Sequence, residues 1–267
     1  MRSVVTMHDL IVWRYPQWFS PIDVAIHRRK QRHACRVADL VVAISEQTKR
    51  DLVEIMGVPE EKIRVVYQTC ENIFWEWDVK KAQQRVAEIK AKYGLPERYV
   101  ICVGTIEERK NQLCAIRAMD NLPADVGLVI VGRPRGDYGK LVTREAGERV
   151  RILSDAAFDD FPALYAGAVV SVYLSRFEGF GIPVLESMCC DTPVVTSNLS
   201  SMPEAGGDAA LYAAPDDVDA VAEHLLRLCT DEAFRSQCVE KGRVQRELFA
   251  PSKVAADMLA VYRSLIF

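Results

Sequence analysis

The feature that most constrains this chain is a repeated order of short apolar strand followed by helix, which is the pattern of parallel sheets closed by crossover helices. Residues 4–7 read as a strand running into His8-Asp9, 24–38 as a helix and 40–44 as a strand. A helix over 46–56 follows, with Ser45 as its N-cap and Gly57 just past its end, then a strand over 63–67. Residues 71–78, with Phe74, Trp75 and Trp77, interrupt the alternation and read as a packed interdomain connection. A second series then runs through helix 80–93, strand 99–103, helix 113–119, strand 126–131, strand 149–153, helix 161–166 and strand 169–174. It ends with strand 193–196, helices 218–229 and 231–248, and an amphipathic helix from Pro251 to residue 265. His8, Ser45, Gly104, Arg133 and Glu178 all fall just past strand ends, the edge where open parallel sheets bind ligands.

Composition excludes several classes. A net charge of −3 gives no reason to expect a nucleic-acid partner. The 8 cysteines contain no C-x-x-C pair and lie mostly in apolar runs, so a reduced, cytoplasmic compartment is the economical expectation. No apolar run approaches the ~20 residues of a membrane span, and Met1-Arg2-Ser3 leads into no apolar signal segment.

Two constellations carry chemistry. Residues 175–186, Ser-Arg-Phe-Glu-Gly-Phe-Gly-Ile-Pro-Val-Leu-Glu, cross from a strand into a helix and set Glu178 and Glu186 eight positions apart. Pro183 suits the first helical position, and Gly179 and Gly181 allow close approach and a sharp turn. The N–H groups of Phe180, Gly181 and Ile182 then form an anion site at a helix N-terminus. Such a turn suits a nucleotide-diphosphate sugar: backbone donors meet a phosphate, one carboxylate the sugar hydroxyls and the other a ribose. The plain alternative is a Gly-rich turn whose glutamates are solvated or cap the helix. In residues 103–111, Val-Gly-Thr-Ile-Glu-Glu-Arg-Lys-Asn, Gly104 opens a loop that delivers Arg109 and Lys110. A diphosphate leaving group gains negative charge as its glycosidic bond breaks, so positive charge must be held there in advance. Arg109 can bind phosphate bidentately and Lys110 as a point charge, so no metal and no other cofactor is expected. Taken alone, 107–110 would read as a solvated charge run.

The block 178–186, continued by Ser187-Met188, by Thr192-Pro193-Val194-Val195-Thr196-Ser197-Asn198 and by 202–210 (Met-Pro-Glu-Ala-Gly-Gly-Asp-Ala-Ala), resembles the donor-site signature of retaining family-4 glycosyltransferases. Arg109-Lys110-Asn111 after Gly104, and His8-Asp9 after the first strand, resemble the same family. The resemblance implies an α/β chain of GT-B type, with one complete Rossmann-like C-terminal domain and a partial N-terminal one. The expected divisions are 1–76 for the acceptor side, 77–249 for the donor and 250–267 for a helix packing back on the N-terminal part. It implies that a first part of the N-terminal domain, about 100 residues on typical domain sizes, precedes the pattern entered at Met1.

By the same resemblance, His8 contacts the transferred sugar or steadies an oxocarbenium-like transition state, Glu178 positions the sugar, and Arg109 and Lys110 meet the diphosphate. Gly104, Phe180, Gly181, Ile182 and Glu186 complete the nucleotide site. The implied reaction moves a hexose to a glycan or lipid-linked acceptor with retention, with a lean to GDP-mannose and polysaccharide synthesis. The rival is a non-catalytic or partner-dependent donor-domain subunit, with a companion chain supplying the missing half; a nucleotide-sugar epimerase is a third reading. The basic helix 24–38, carrying Arg28, Arg29, Lys30, Arg32 and Arg36, reads foremost as a solvated face or a contact for that missing half. Peripheral docking on the inner face of a membrane is its other reading. Cys190-Asp191 stands where the family usually has Gly, a position Asp tolerates.

Overall fold

The computed structural model describes residues 2–80 and 82–265; residues 1, 81, 266 and 267, which fall in the expected segments 1–76, 77–249 and 250–267, lie outside the described residues. The chain divides into two compact units, one of residues 1–69, 177–181 and 249–267, the other of residues 70–176 and 182–248.

The larger unit holds a six-stranded parallel sheet of β4 (Arg98–Val103), β5 (Val126–Val131), β6 (Val150–Leu153), β7 (Val170–Tyr173), β8 (Val194–Ser197) and β9 (Leu211–Ala213), β1–β3 lying in the other unit. Their order across the sheet is β6-β5-β4-β7-β8-β9. Every residue of β4 after Arg98, and every residue of β5, β7 and β8, is buried, as expected of strands covered by helices on both faces. The chain runs outward from β4 to β6 and then returns to lay β7 on the other side of β4. That reversal is the topological switch point, where sheets of this kind open a crevice beyond the strand ends. A buried carboxylate anchors helix Gln83–Tyr93: Asp160 accepts from Arg85 (2.5 Å), Lys92 (2.5 Å) and Tyr93 (2.6 Å). Burial alone would raise its pKa, but the bonds from Lys92 and Tyr93 and the nearby cations leave it below the usual value.

The smaller unit is a parallel sheet of β1 (Val4–Met7), β2 (Leu40–Ala43) and β3 (Ile63–Val65) in that order. Successive residues of the central strand serve opposite faces. Val41 and Ala43 join Met7, Leu10, Cys35 and Leu52, whereas Leu40 and Val42 join Val66 and Val261. The second face is covered by the C-terminal helix Pro251–Arg263, through Val254, Met258 and Val261.

The expected boundary at 76/77 falls instead at 69/70. Phe74, on a short helix Asn72–Trp75, is fully buried against Phe158 and Tyr165 and so belongs to the larger unit. Several elements lie outside the sequence reading, chiefly helix Gly136–Glu145 and the edge strand β9. The helix opens Gly-Asp-Tyr-Gly, whose glycines mask its period, and is held by packing: a Cβ on Gly139 would lie 2.8 Å from Pro134. Helix Pro21–Val37 starts three residues earlier than expected because Ser20 caps it, its side chain accepting from Asp23 N at 3.1 Å. Helix Glu46–Met56 has the expected ends, with Ser45 accepting from Thr48 N and Gly57 left-handed. Asp191 is left-handed too, at φ +56°, and is ion-paired by Arg243 at 2.5 Å.

Candidate active site

In the larger unit the relevant groups gather beyond β4 and β7, at the switch point. The loop after β4 starts at Gly104, whose N–H donates to Val131 O at 2.9 Å. The loop returns so that Lys110 lies over Gly104; a Cβ there would stand 3.7 Å from Lys110 Nζ. Lys110 donates to the hydroxyl of Tyr173, the last residue of β7, and its ammonium sits 4.9 Å from that ring's centre. Arg109 is oriented by Glu107 at 2.7 Å, and its carbonyl accepts from Arg176 N at 2.9 Å and Ser175 Oγ at 3.4 Å. The two loops flanking the switch point are therefore bonded to each other. Residues 107–110 are no solvated run: only Glu108 is exposed.

Glu186 lies on helix Ile182–Cys189 with 8% of its surface exposed, and its Oε2 accepts from Tyr165 OH at 2.8 Å. Burial pushes its carboxyl up to about 7, against the opposing pull of the Tyr165 bond and the Lys110 charge. Burial likewise drives the Tyr165 phenol well above its ordinary value. A carboxyl so placed takes up or gives up a proton near neutrality, and in its ionised form is a strong acceptor for a pair of hydroxyls. Asp217-Val218-Asp219 carries an Asp-x-Asp spacing of the kind that can hold a cation, but Asp217 caps helix Val218–Thr230, accepting from Ala220 N at 3.0 Å. Among the described residues no three His, Cys, Asp or Glu side chains gather as a metal-ligating group.

In the smaller unit the segment 177–181 seats Glu178 beside the end of β1. Gly179 packs so closely that an added Cβ would lie 2.0 Å from His8 O. Buried Thr48, at the start of helix Glu46–Met56, reaches His8 O at 3.3 Å and Gly179 O at 3.5 Å through one hydroxyl. Glu178 itself is half-buried. Phe180 is an anchor, its ring 5.0 Å from that of Phe249 and 5.9 Å from that of Tyr67. Gly181, at φ +120°, makes the turn that Ile182 continues as helix. His8 is exposed, with Nδ1 3.1 Å from Gln68 Nε2. Asp9 is a backbone organiser: its Oδ1 accepts from Ile11 N at 3.0 Å and its carbonyl from Gln31 at 3.1 Å.

Each unit thus assembles part of the sequence-predicted set: Gly104, Arg109, Lys110, Ile182 and Glu186 in the larger, His8, Glu178, Phe180 and Gly181 in the smaller. Tyr165, Tyr173, Thr48 and Gln68 escaped the sequence reading. The two tyrosines pass as core aromatics and the two polar residues as a cap neighbour and a strand end, so no local signal marks them.

A parallel sheet with cations and a buried carboxylate beyond its switch point has the layout of the α/β proteins that bind ligands in that crevice. Two family models agree with it: Glycosyltransferase Family 4 matches residues 1–69, and Glycosyl transferases group 1 matches residues 86–245, more than half of the chain. The chain belongs to the group 1 glycosyl transferases and is a glycosyltransferase of GT-B fold. O-antigen chain mannosyltransferase B of Escherichia coli is 30% identical over 99% of this chain and 71% of its own length. A serotype-specific mannosyltransferase of the same organism, WbdA, is 28% identical over 82% of this chain but only 28% of its own length. Among solved structures, Anabaena Alr3699/HepE in complex with UDP and glucose superposes with a TM-score of 0.81, at 20% identity, over 98% of this chain and 71% of that one. At that identity the likeness is one of fold.

Proposed function

We propose that the chain transfers a mannosyl residue from GDP-mannose to a growing surface polysaccharide or its lipid-linked precursor, with retention at the anomeric carbon and without a metal. The observation that carries the reading is the grouping at the switch point, where Lys110 on Tyr173, Arg109 on Glu107 and buried Glu186 on Tyr165 supply fixed partners for a diphosphate and a ribose. The sugar is drawn from likeness to the two mannosyltransferases, the first of which aligns along nearly all of this chain. Arg109 and Lys110 stabilise the departing diphosphate by charge set in place beforehand, which removes the need for a cation. His8 and Glu178 address the sugar, and the diphosphate oxygen left behind takes the acceptor's proton on the same face.

Transfer takes place in the cytoplasm. No helix among the described residues is long and apolar enough to cross a membrane. Helix Pro21–Val37 supports peripheral contact with anionic lipid, since Arg29, Lys30, Arg32 and Arg36 are exposed together with Ile22 and Ile26.

The deciding experiment is calorimetric titration of the chain with GDP and UDP in EDTA, followed by transfer from radiolabelled GDP-mannose to membrane extract. Saturable GDP binding with transfer is the expected result. UDP preference overturns the donor, and binding without transfer points to a donor-domain subunit that needs a companion chain.

A further inference from the structure

The His8 main chain is fixed from several sides: Thr48 and Gly179 hold its carbonyl, and Asp9 is tied to Ile11 and Gln31. The ring is a different matter. It is exposed, and its Nδ1 lies 3.1 Å from Gln68 Nε2, which reaches it from the segment just after β3. An amide nitrogen can only donate, so a ring nitrogen facing it must be the unprotonated acceptor. In a neutral imidazole the proton then resides on Nε2.

We propose that Gln68 is a positioning residue that fixes the tautomer of His8, so that His8 presents Nε2–H as a hydrogen-bond donor to the transferred sugar and cannot act there as a base. This rests on the transferase reading only for the identity of what Nε2–H meets; the tautomer is a property of the chain itself. The chemistry fits that reading. A retaining transfer in which the leaving diphosphate assists the acceptor has no use for a protein base at this point. A neutral donor, by contrast, orients a sugar hydroxyl without adding positive charge beside a carbocation-like centre. Free imidazole samples both tautomers, and the Gln68 amide nitrogen facing Nδ1 selects the one that keeps its proton on Nε2.

The test reads the ring directly. With 4 histidines in the chain, long-range proton–nitrogen spectra of the uniformly ¹⁵N-labelled protein at pH 8 resolve each ring, and His8→Gln identifies the His8 signals. The expected result is His8 as the Nε2–H tautomer in the wild type. In Gln68→Glu, whose carboxylate can only accept, it becomes the Nδ1–H tautomer. Steady-state transfer by Gln68→Glu is then expected to show kcat lowered about tenfold at unchanged GDP affinity, because Arg109, Lys110 and Glu186, the side chains read as meeting the diphosphate and ribose, lie in the other unit. An Nδ1–H tautomer in the wild type, or an Nε2–H ring that persists in Gln68→Glu, overturns the proposal without a functional assay. A switched tautomer with unchanged kcat overturns the positioning role. Absence of transfer by the wild type is a separate outcome that removes the transferase reading and leaves the ring measurement standing on its own.

Discussion

The two units preorganise their functional groups by different means. In the larger, side chains are held by buried hydroxyls: Tyr165, with no exposed surface, bonds Glu186, and Tyr173, 2% exposed, bonds Lys110. In the smaller, the backbone does the positioning: Gly179 lies against His8 O, and Thr48 bridges both carbonyls. The difference teaches where each unit is sensitive. A buried charge set by hydrogen bonds responds to pH and to loss of one hydroxyl, because low dielectric magnifies each term. Close main-chain packing is indifferent to pH but cannot admit one extra carbon.

The largest expected effect is that pH dependence. Glu186 is raised from 4.5 to about 7 in the folded chain, so between those values the native state holds more protons than the unfolded one. Its contribution to stability is therefore full below pH 4.5 and is lost as pH rises through about 7; a shift of that size corresponds to about 3 kcal/mol. Denaturant melts of wild type and Glu186→Gln at pH 5 and 8 should show the wild type losing most of that amount relative to the variant. Parallel curves would place no titrating carboxyl there. Glu186→Ala should also weaken nucleotide affinity, whereas Glu178→Ala should chiefly lower turnover.

Next comes Gly179→Ala. Its Cβ would meet a backbone oxygen at 2.0 Å, so the segment must move by an ångström or more, at roughly 1–3 kcal/mol and up to about 100-fold in turnover. Melting and transfer rate both check it, and the loss should be the same at pH 6 and pH 8. If it tracked pH, the contrast between the units would fail.

Tyr165→Phe should destabilise by roughly 1–3 kcal/mol, since the Glu186 carboxylate loses a buried donor, and should push that carboxyl still higher. The loss should be greater at pH 8 than at pH 5, measured by melting. The smallest effect is expected from Tyr173→Phe, which keeps the ring under Lys110 and removes only the hydroxyl. A fall in GDP affinity of about 2- to 10-fold with little change in Tm is the result calorimetry should return.

Much of this was legible in the sequence because it depends on local rules. Ser45 and Gly57 bound their helix as capping chemistry requires, and continuous apolar runs such as 126–131 announced buried parallel strands. The Gly-Phe-Gly turn between Glu178 and Glu186 was equally plain, since only glycine accepts the φ of +120° at Gly181. Helix Gly136–Glu145 was not legible, because its glycines weaken the periodic signal and Pro134 packing supplies what propensity lacks.

The sequence by itself thus determined the alternation, the parallel sheets, the glycine-rich turn into helix Ile182–Cys189 and the identity of the charged residues, all written in spacings of a few positions. Only tertiary structure decided what those residues are worth. It buried Glu186 against a tyrosine 21 positions away and laid Lys110 on one 63 positions away. It set Gly179 on a histidine carbonyl and put Gln68 at the His8 ring, 60 positions along the chain. Desolvation, tautomer and close approach depend on neighbours brought together by folding, and no local pattern records them.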